Sequence, residues 1–229
     1  MKRIFAILLS ISLLLSLASC TERPDRVTDE TLAALRAQYP YNDVMHPSFS
    51  PDYRNFQTWT GFRKAATVYA VATLELTGDW VQTLGANSPL KDIPREEWDG
   101  NMVHASGFFH AAKLGDILWG GADLNPGEGV KLFFGKPFMV TQEQLQATFR
   151  EGERYVCFLY DSRENDYDIP AFYVQLITTW HLTEDEVLLC ATDALACADD
   201  CSGMYLHAFA QNLTTYLGSP DTESELQTE

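Results

Sequence analysis

The chain has 229 residues, with 32 acidic and 16 basic side chains and a formal net charge of −16. So acidic a surface repels nucleic acid and anionic lipid headgroups, and we therefore expect no nucleic-acid partner. The length is sufficient for one domain with a hydrophobic core together with ordered flanks.

A basic pair and an apolar run open the chain. The apolar run over residues 4–17 is too short to span a bilayer of about 30 Å, which indicates a targeting segment rather than an element of the fold. The run closes with Leu17, Ala18, Ser19 and Cys20. These four residues resemble the lipobox of bacterial lipoproteins, in which a Leu and two small residues precede the Cys.

The lipobox resemblance implies that Cys20 receives a diacylglyceryl thioether and that residues 1–19 are removed as a signal peptide. Removal of residues 1–19 takes away two basic and no acidic side chains, so the remaining 210 residues have a formal charge of −18. We then expect attachment to the cell membrane through acyl chains such as palmitate, with the folded part outside the cytoplasm. An ordinary secretory signal whose cleavage site contains a Cys is the alternative.

Residues 20–58 are predicted to form a tether and an arm that wraps the domain. Residues 21–27 are polar and typical of a short tether. Thr28 is a candidate N-cap for a helix that carries Leu32 and Leu35 and ends at Tyr39. Residues 40–58 contain three prolines and are expected to be extended.

From Trp59 onward the pattern predicts strands. Residues 67–77 alternate in polarity, which predicts that Thr73 and Glu75 face away from the core. Residues 79–104 are interpreted as an irregular insertion. The further predicted strands cover residues 108–119 with a bulge at Gly115-Asp116, residues 130–134, residues 155–160 at the centre of the sheet, residues 172–180 and residues 187–190. A short helix is predicted near residues 141–146.

The C-terminal segment changes to helical spacing. Tyr205, Phe209, Leu213 and Tyr216 predict a helix, with Ser202 as N-cap and a glycine as its C-terminal stop. Residues 219–229 are acidic and polar and are expected to be a disordered tail. The predicted class is mostly β (α+β), a small OB-like barrel of five to six strands over residues 59–218 with a closing C-terminal helix.

Three short segments resemble the OB-like domains of bacterial surface lipoproteins. Residues 118–132 look like their strand–turn–strand, residues 152–160 like their Gly-acidic-x-Tyr strand, and residues 203–209 lie where these domains have a final helix. The netrin-like domains of tissue metalloproteinase inhibitors have a related layout. The resemblance covers residues 60–217 and implies the fold more than an activity.

Four cysteines follow Cys20. Cys157 lies within a predicted strand and is interpreted as a small buried side chain. Outside the cytoplasm disulfides are chemically permitted, and we hypothesise one among Cys190, Cys197 and Cys201, although the sequence does not choose the pairing. A zinc site made by these cysteines with His207 is disfavoured because no close Cys pair would begin a tetrahedral site. We therefore expect no metal site.

Two tryptophans in the predicted insertion are candidate ligand-binding residues. Trp80 and Trp98 are hypothesised to form an aromatic platform for a sugar or a peptide. The alternative is that both side chains only pin the insertion onto the barrel. The chain contains no phosphate-binding loop, nucleophile elbow or dinucleotide fingerprint, so no cofactor is expected.

The resulting hypothesis is a membrane-tethered envelope lipoprotein with a non-enzymatic binding or structural domain, whose partner is an envelope protein, peptide or glycan. One alternative is an envelope hydrolase that uses a Cys thiolate near His181 or His207. The other is a protease inhibitor, suggested by the netrin-like layout. In metalloproteinase inhibitors the N-terminal Cys chelates the zinc, but here Cys20 would be lipidated and far from the barrel.

Overall fold

Eight strands form one sheet in the part of the chain that the structure describes. This computed structural model describes residues 24–42, 57–83, 94–97, 107–134, 142–161 and 171–220. The strands are β1 (Ala70–Leu76), β2 (Val81–Thr83), β3 (Gly107–Gly120), β4 (Gly129–Phe134), β5 (Arg154–Asp161), β6 (Ala171–Tyr173), β7 (Thr179–Leu182) and β8 (Leu188–Cys190). The helices in these ranges are α1 (Asp29–Gln38), α2 (Trp59–Ala65), α3 (Gln142–Thr148), α4 (Ala196–Asp199) and α5 (Leu206–Leu217), with short 3-10 turns at Arg95–Glu97 and Leu176–Thr178.

Five of the strands close into a barrel in the order β1–β3–β4–β6–β5, and β5 returns to β1. The β4–β6 pair is parallel and the other four pairs are antiparallel. β2 pairs with β3, while β7 and β8 extend the sheet outward from β5. The protein is therefore mostly β with a few helices, built on a small OB-like barrel, as the sequence predicts.

β1 lies between β3 and β5, and its residues are buried on both faces except at Glu75. Glu75 is exposed as predicted, but Thr73 is buried and the prediction of a polar face there was wrong. The reason is the predicted bulge in β3, which the structure confirms. The backbone N–H of Asp116 donates to Thr73 Oγ1 at 2.7 Å. A Cβ at Gly115 would lie 2.2 Å from that oxygen, so the bulge requires glycine there.

The predicted strand over residues 172–180 is interrupted and that prediction was wrong. β6 ends at Tyr173, a 3-10 turn occupies Leu176–Thr178, and β7 begins at Thr179. The hydroxyls of Thr178 and Thr179 both donate to the Gln175 carbonyl, at 3.3 and 2.9 Å. These side-chain bonds compete with the strand ladder and stabilise the turn. The apolar residues on both sides of the break are buried, so the hydrophobic pattern of the sequence does not reveal the break.

The C-terminal helix α5 begins three residues later than predicted. Tyr205, not Ser202, is the N-cap, because the Ser202 hydroxyl is used in the preceding turn, where it accepts from the backbone N–H of Cys190 at 3.0 Å. Gly218 ends the helix with φ of 89°, as predicted. Tyr216 stacks on Trp59 with ring centroids 4.6 Å apart, so α5 closes the domain against α2.

The N-terminal arm packs on the outer edge of the sheet. Thr28 caps α1 by accepting from the backbone N–H of Thr31, as predicted. Residues 25–27, predicted as tether, are instead paired with the chain around Gly203 and Tyr205. The tether prediction was therefore wrong for these residues, because their backbone groups complete the edge of the sheet.

Candidate functional site

A cavity of about 420 Å³ opens where β1 ends and the chain turns toward β2. Its glycine, Gly78, has φ of 102°, a conformation that turns the backbone away from β1. The cavity is lined by Leu76, Gly78, Asp79 and Trp80, by His110 of β3, and by Gln146, Phe149, Arg150 and Glu151 at the end of α3. Residues from three distant parts of the chain therefore meet at this end of the barrel.

The Trp80 indole forms one wall of the cavity and is half-buried. Its ring centroid lies 4.5 Å from His110 in an edge contact, 5.3 Å from Phe134 and 6.0 Å from Phe149. These contacts fix the orientation of the indole. The indole therefore packs on the barrel, and its role in an aromatic platform for a sugar or a peptide stays a hypothesis. Trp98 lies outside the described residues.

His110 is 5% exposed and supports the Trp80 wall from beneath. Its Nδ1 lies 2.7 Å from the carbonyl oxygen of Ala111. A carbonyl oxygen only accepts, so Nδ1 carries the proton and donates. In the neutral ring Nε2 is then the acceptor, which fixes the tautomer of this cavity residue.

Planar polar groups line the rest of the cavity. Asp79 and Glu151 contribute carboxylates, Gln146 an amide and Arg150 a guanidinium. With Trp80, this set combines one flat apolar surface with hydrogen-bond donors and acceptors, so the lining of the cavity is mainly polar. The arrangement can bind a ligand that presents both an apolar face and hydroxyl or amide groups.

The turn between α3 and β5 is held by Tyr155, whose side chain is fully buried. The backbone N–H of Arg150 donates to the Tyr155 hydroxyl oxygen at 2.6 Å. That hydroxyl also lies 3.2 Å from the Thr148 carbonyl and 3.2 Å from Glu153 Oε2. Burial raises the pKa of Tyr155 well above its usual range, so it remains a neutral donor.

The residues that follow in the same turn line a second cavity, of about 400 Å³. It is bounded by Tyr39, Gly152, Glu153, Arg154, His181, Leu182 and Glu184. His181 Nδ1 lies 3.6 Å from Glu153 Oε2 and makes no hydrogen bond to a described residue. Burial, followed by the charges of Arg150 and Arg36, lowers the pKa of His181 to about 4, so the ring is neutral at pH 7.

The three clustered cysteines form no disulfide among the described residues, so the hypothesised bond is not formed. Cys190, Cys197 and Cys201 are buried reduced thiols, as is Cys157. Burial raises the pKa of all four to about 12. A nucleophilic Cys needs partial exposure and a lowered pKa. The structure therefore gives no support to the Cys-hydrolase alternative.

The remaining candidate features of the sequence concern His207, a metal site and the membrane anchor. His207 is partly buried at the start of α5 and lines neither cavity. In the described ranges, no three His, Cys, Asp or Glu side chains cluster as a metal site would require. No helix in those ranges is long and apolar enough to cross a membrane. Leu17, Ala18, Ser19 and Cys20 lie outside the described residues.

Sequence reasoning identified Trp80 but missed the groups around it. His110, Arg150 and Glu151 carry no motif, and they meet Trp80 only because the barrel brings β1, β3 and α3 together. One local signal pointed to this region of the chain: Gly152-Glu153 predicts a turn. Turns between elements lie at the end of a barrel, and polar side chains are common there. In comparisons with known proteins, no family model matches this chain and no curated protein is similar to it.

Proposed function

We propose that this protein is a lipoprotein of the bacterial cell envelope, anchored by acyl chains on Cys20, with its OB-like domain outside the cytoplasm. The observation that carries the proposal is the order of a basic pair, an apolar run and the closing residues 17–20. Each buried methylene contributes about 0.8 kcal/mol, so two acyl chains anchor a protein stably where one binds reversibly.

Replacing the anchoring residue tests this proposal. Cells expressing wild type should incorporate radiolabelled palmitate into the protein and retain it in the membrane fraction. The Cys20→Ala variant should lose the label and either leave the membrane fraction or accumulate as uncleaved precursor. Ser16→Ala, inside the apolar run, is the matched control and should behave as wild type. Label and membrane retention in Cys20→Ala would refute the anchor.

For the domain, the proposed role is non-enzymatic binding of a glycan or peptide at the Trp80 cavity. The half-buried indole, ringed by planar polar side chains, supports this role. Loops at the ends of OB-fold barrels commonly bind oligosaccharides or oligonucleotides. The strongly negative chain disfavours oligonucleotides, which leaves an envelope glycan or peptide as the ligand class.

Tryptophan fluorescence measures this binding directly. Envelope glycan fragments and peptides should shift the emission of the domain, and Trp80→Phe should abolish the shift because it removes the reporting indole. Val81→Ala is the control, since Val81 is 58% exposed and does not line the cavity. If no ligand class changes the wild-type emission, binding at this cavity is refuted and a structural role is the remaining one.

A further inference from the structure

The N-terminal arm forms one edge of the extended sheet. The backbone N–H of Gly203 donates to Leu188 of β8 at 2.7 Å, so the chain at residues 203–205 lies beside β8. The arm lies beside that segment in turn: Val27 N–H donates to the Gly203 carbonyl at 2.9 Å, and Tyr205 N–H donates to the Asp25 carbonyl at 3.0 Å. The order outward from the barrel is β5, β7, β8, residues 203–205 and residues 25–27.

Two arginines clamp the arm in this position. Arg26 donates to the carbonyl oxygens of Ser202, at 2.7 Å, and of Asp200. Arg36 donates to the Cys190 carbonyl at 2.8 Å and to the Ser202 hydroxyl at 2.6 Å. Its guanidinium also pairs with Asp199 Oδ1 at 3.0 Å. Charge-assisted bonds of this kind are stronger than neutral ones, and here they join the arm to the end of β8 and to the turn at residues 199–202.

Gly203 is a position of close approach between the arm and the domain. Its φ is 85°, and a Cβ there would lie 3.4 Å from side-chain atoms of both Val27 and Leu32. The arm is therefore packed against the domain from residue 25 onward, and only the chain before residue 25 can act as a tether.

The length of this short tether limits the distance between the domain and the anchor. Five residue steps separate Cys20 from Asp25, and a fully extended chain spans at most about 3.6 Å per residue, or about 18 Å. In the lipoprotein proposed above, on which this inference rests, Cys20 lies at the bilayer surface. The arm edge of the sheet must then lie within that distance of the membrane.

The opposite edge of the same sheet is β2, which pairs only with β3 among the described strands. Seven strand spacings of about 4.8 Å separate β2 from residues 25–27, a path of up to about 34 Å around the sheet. Trp80 immediately precedes β2. Trp80, one wall of the candidate cavity, therefore lies at the edge that is remote from residues 25–27 along the sheet, while the opposite wall at Phe149 and Arg150 precedes β5, which is four spacings from the arm.

We infer that the docked arm holds the domain on the membrane in one orientation, with the edge at residues 25–27 toward the lipid and the edge at β2, with the Trp80 wall of the cavity, away from it. The partner surface is a lipid bilayer reached through the acyl chains. Asp25, Asp29, Glu30 and Asp200 give the arm edge acidic groups, so the edge does not adsorb to anionic headgroups by charge.

Energy transfer to the bilayer surface tests the orientation. The lipidated protein is extracted from membranes, reconstituted in phosphatidylcholine vesicles with acceptor-labelled headgroups, and labelled at Asp29→Cys or at Val81→Cys. The four buried thiols, with pKa values of about 12, react slowly with the dye. Transfer should be stronger from position 29 than from position 81. Equal transfer from the two positions would overturn the inference.

Releasing the arm should remove this difference. In the Arg26→Ala/Arg36→Ala double variant the ratio of the two transfer efficiencies should fall toward one, while Arg63→Ala, at an exposed arginine of α2, should leave it unchanged. Should the double variant not fold, a Gly-Ser insertion between Pro24 and Asp25 lengthens the tether without touching any arm contact. The insertion should lower transfer from position 29, and unchanged transfer would overturn the inference. Protein that does not bind vesicles at all would refute the lipid anchor instead.

Discussion

His181 is a histidine kept neutral by its surroundings. It is 4% exposed, and its ring lies 5.2 Å from that of Tyr39 and 5.3 Å from that of Tyr155. The Glu153 carboxylate, 3.6 Å from Nδ1, favours the protonated ring, but Arg150 pairs with that carboxylate at 3.6 Å and offsets it. Desolvation is then the largest influence, and it disfavours the charged form.

The stability of the domain should therefore depend on pH through His181. Its folded pKa of about 4 lies below the unfolded value of 6.5, so the unfolded state binds the proton more readily. The contribution is complete above pH 6.5 and is lost as pH falls toward 4, by about 3 kcal/mol at most. Urea melts between pH 7 and pH 4 should show a flatter profile for His181→Phe than for wild type. Parallel profiles would contradict the assignment.

Phe158 and Glu75 provide a matched test on neighbouring barrel strands. Phe158 is fully buried, with its ring 5.3 Å from Trp180 and 5.8 Å from Phe62. Phe158→Ala should cost about 3–5 kcal/mol of unfolding free energy because a cavity replaces the ring. Glu75→Ala, at the exposed position of β1, should stay within about 0.5 kcal/mol of wild type. Similar losses in urea melts would be inconsistent with a central β5.

At the scale of elements, α5 carries a large part of the core. Leu206, Phe209 and Leu213 are buried, and Phe209 packs on Trp180 with ring centroids 5.2 Å apart. Each such side chain contributes about 1.5–3 kcal/mol, against a typical total stability of 5–15 kcal/mol. Truncation before Leu206 should abolish cooperative thermal unfolding. Truncation after Pro220 is the control and should shift the melting temperature little; equal stability of the two would contradict a closing role for α5.

The elements predicted well are those whose signals are local. The strand around Phe158 is apolar on both faces, Thr28 is a cap before an amphipathic run, and Gly115-Asp116 indicates a bulge. The break after Tyr173 could not be predicted, because its cause is hydrogen bonding by two Thr hydroxyls to one carbonyl. Thr73 could not be assigned either, since its burial depends on β3, which is distant in sequence.

The candidate site was predictable only in part for the same reason. Trp80 was a candidate because an aromatic face in a predicted irregular insertion offers a large contact area to a ligand. The groups beside it, His110 and Arg150, come from separate elements that only the closed barrel brings together. The pairing of Glu153 with His181 likewise depends on the β5–β7 register, in which Tyr155 lies opposite His181.

For the whole molecule, the docked arm protects an edge. Deleting residues 24–42 from the soluble domain removes the Arg36 bonds and leaves the backbone of residues 203–205 unpaired on one side. We expect a lower melting temperature and concentration-dependent association, because unpaired strand edges recruit other chains. Calorimetry and light scattering measure the two effects. A monomer with unchanged melting temperature would show that the arm adds nothing to the domain.

The closure of the barrel also determines the time course of its formation. β1 is bonded to β5 across 79 to 89 residues, and the parallel β4–β6 pair joins strands that an intervening helix and β5 separate in the chain. Such non-local pairings fold slowly, in milliseconds to seconds, because loop-closure entropy is lost before the contacts form. β6, only three residues long, completes the ring. Until Ala171–Tyr173 dock between β4 and β5, the folding chain exposes one open strand edge on β4 and one on β5. Misassembly competes with folding during this time, because unpaired strand edges bind other strands.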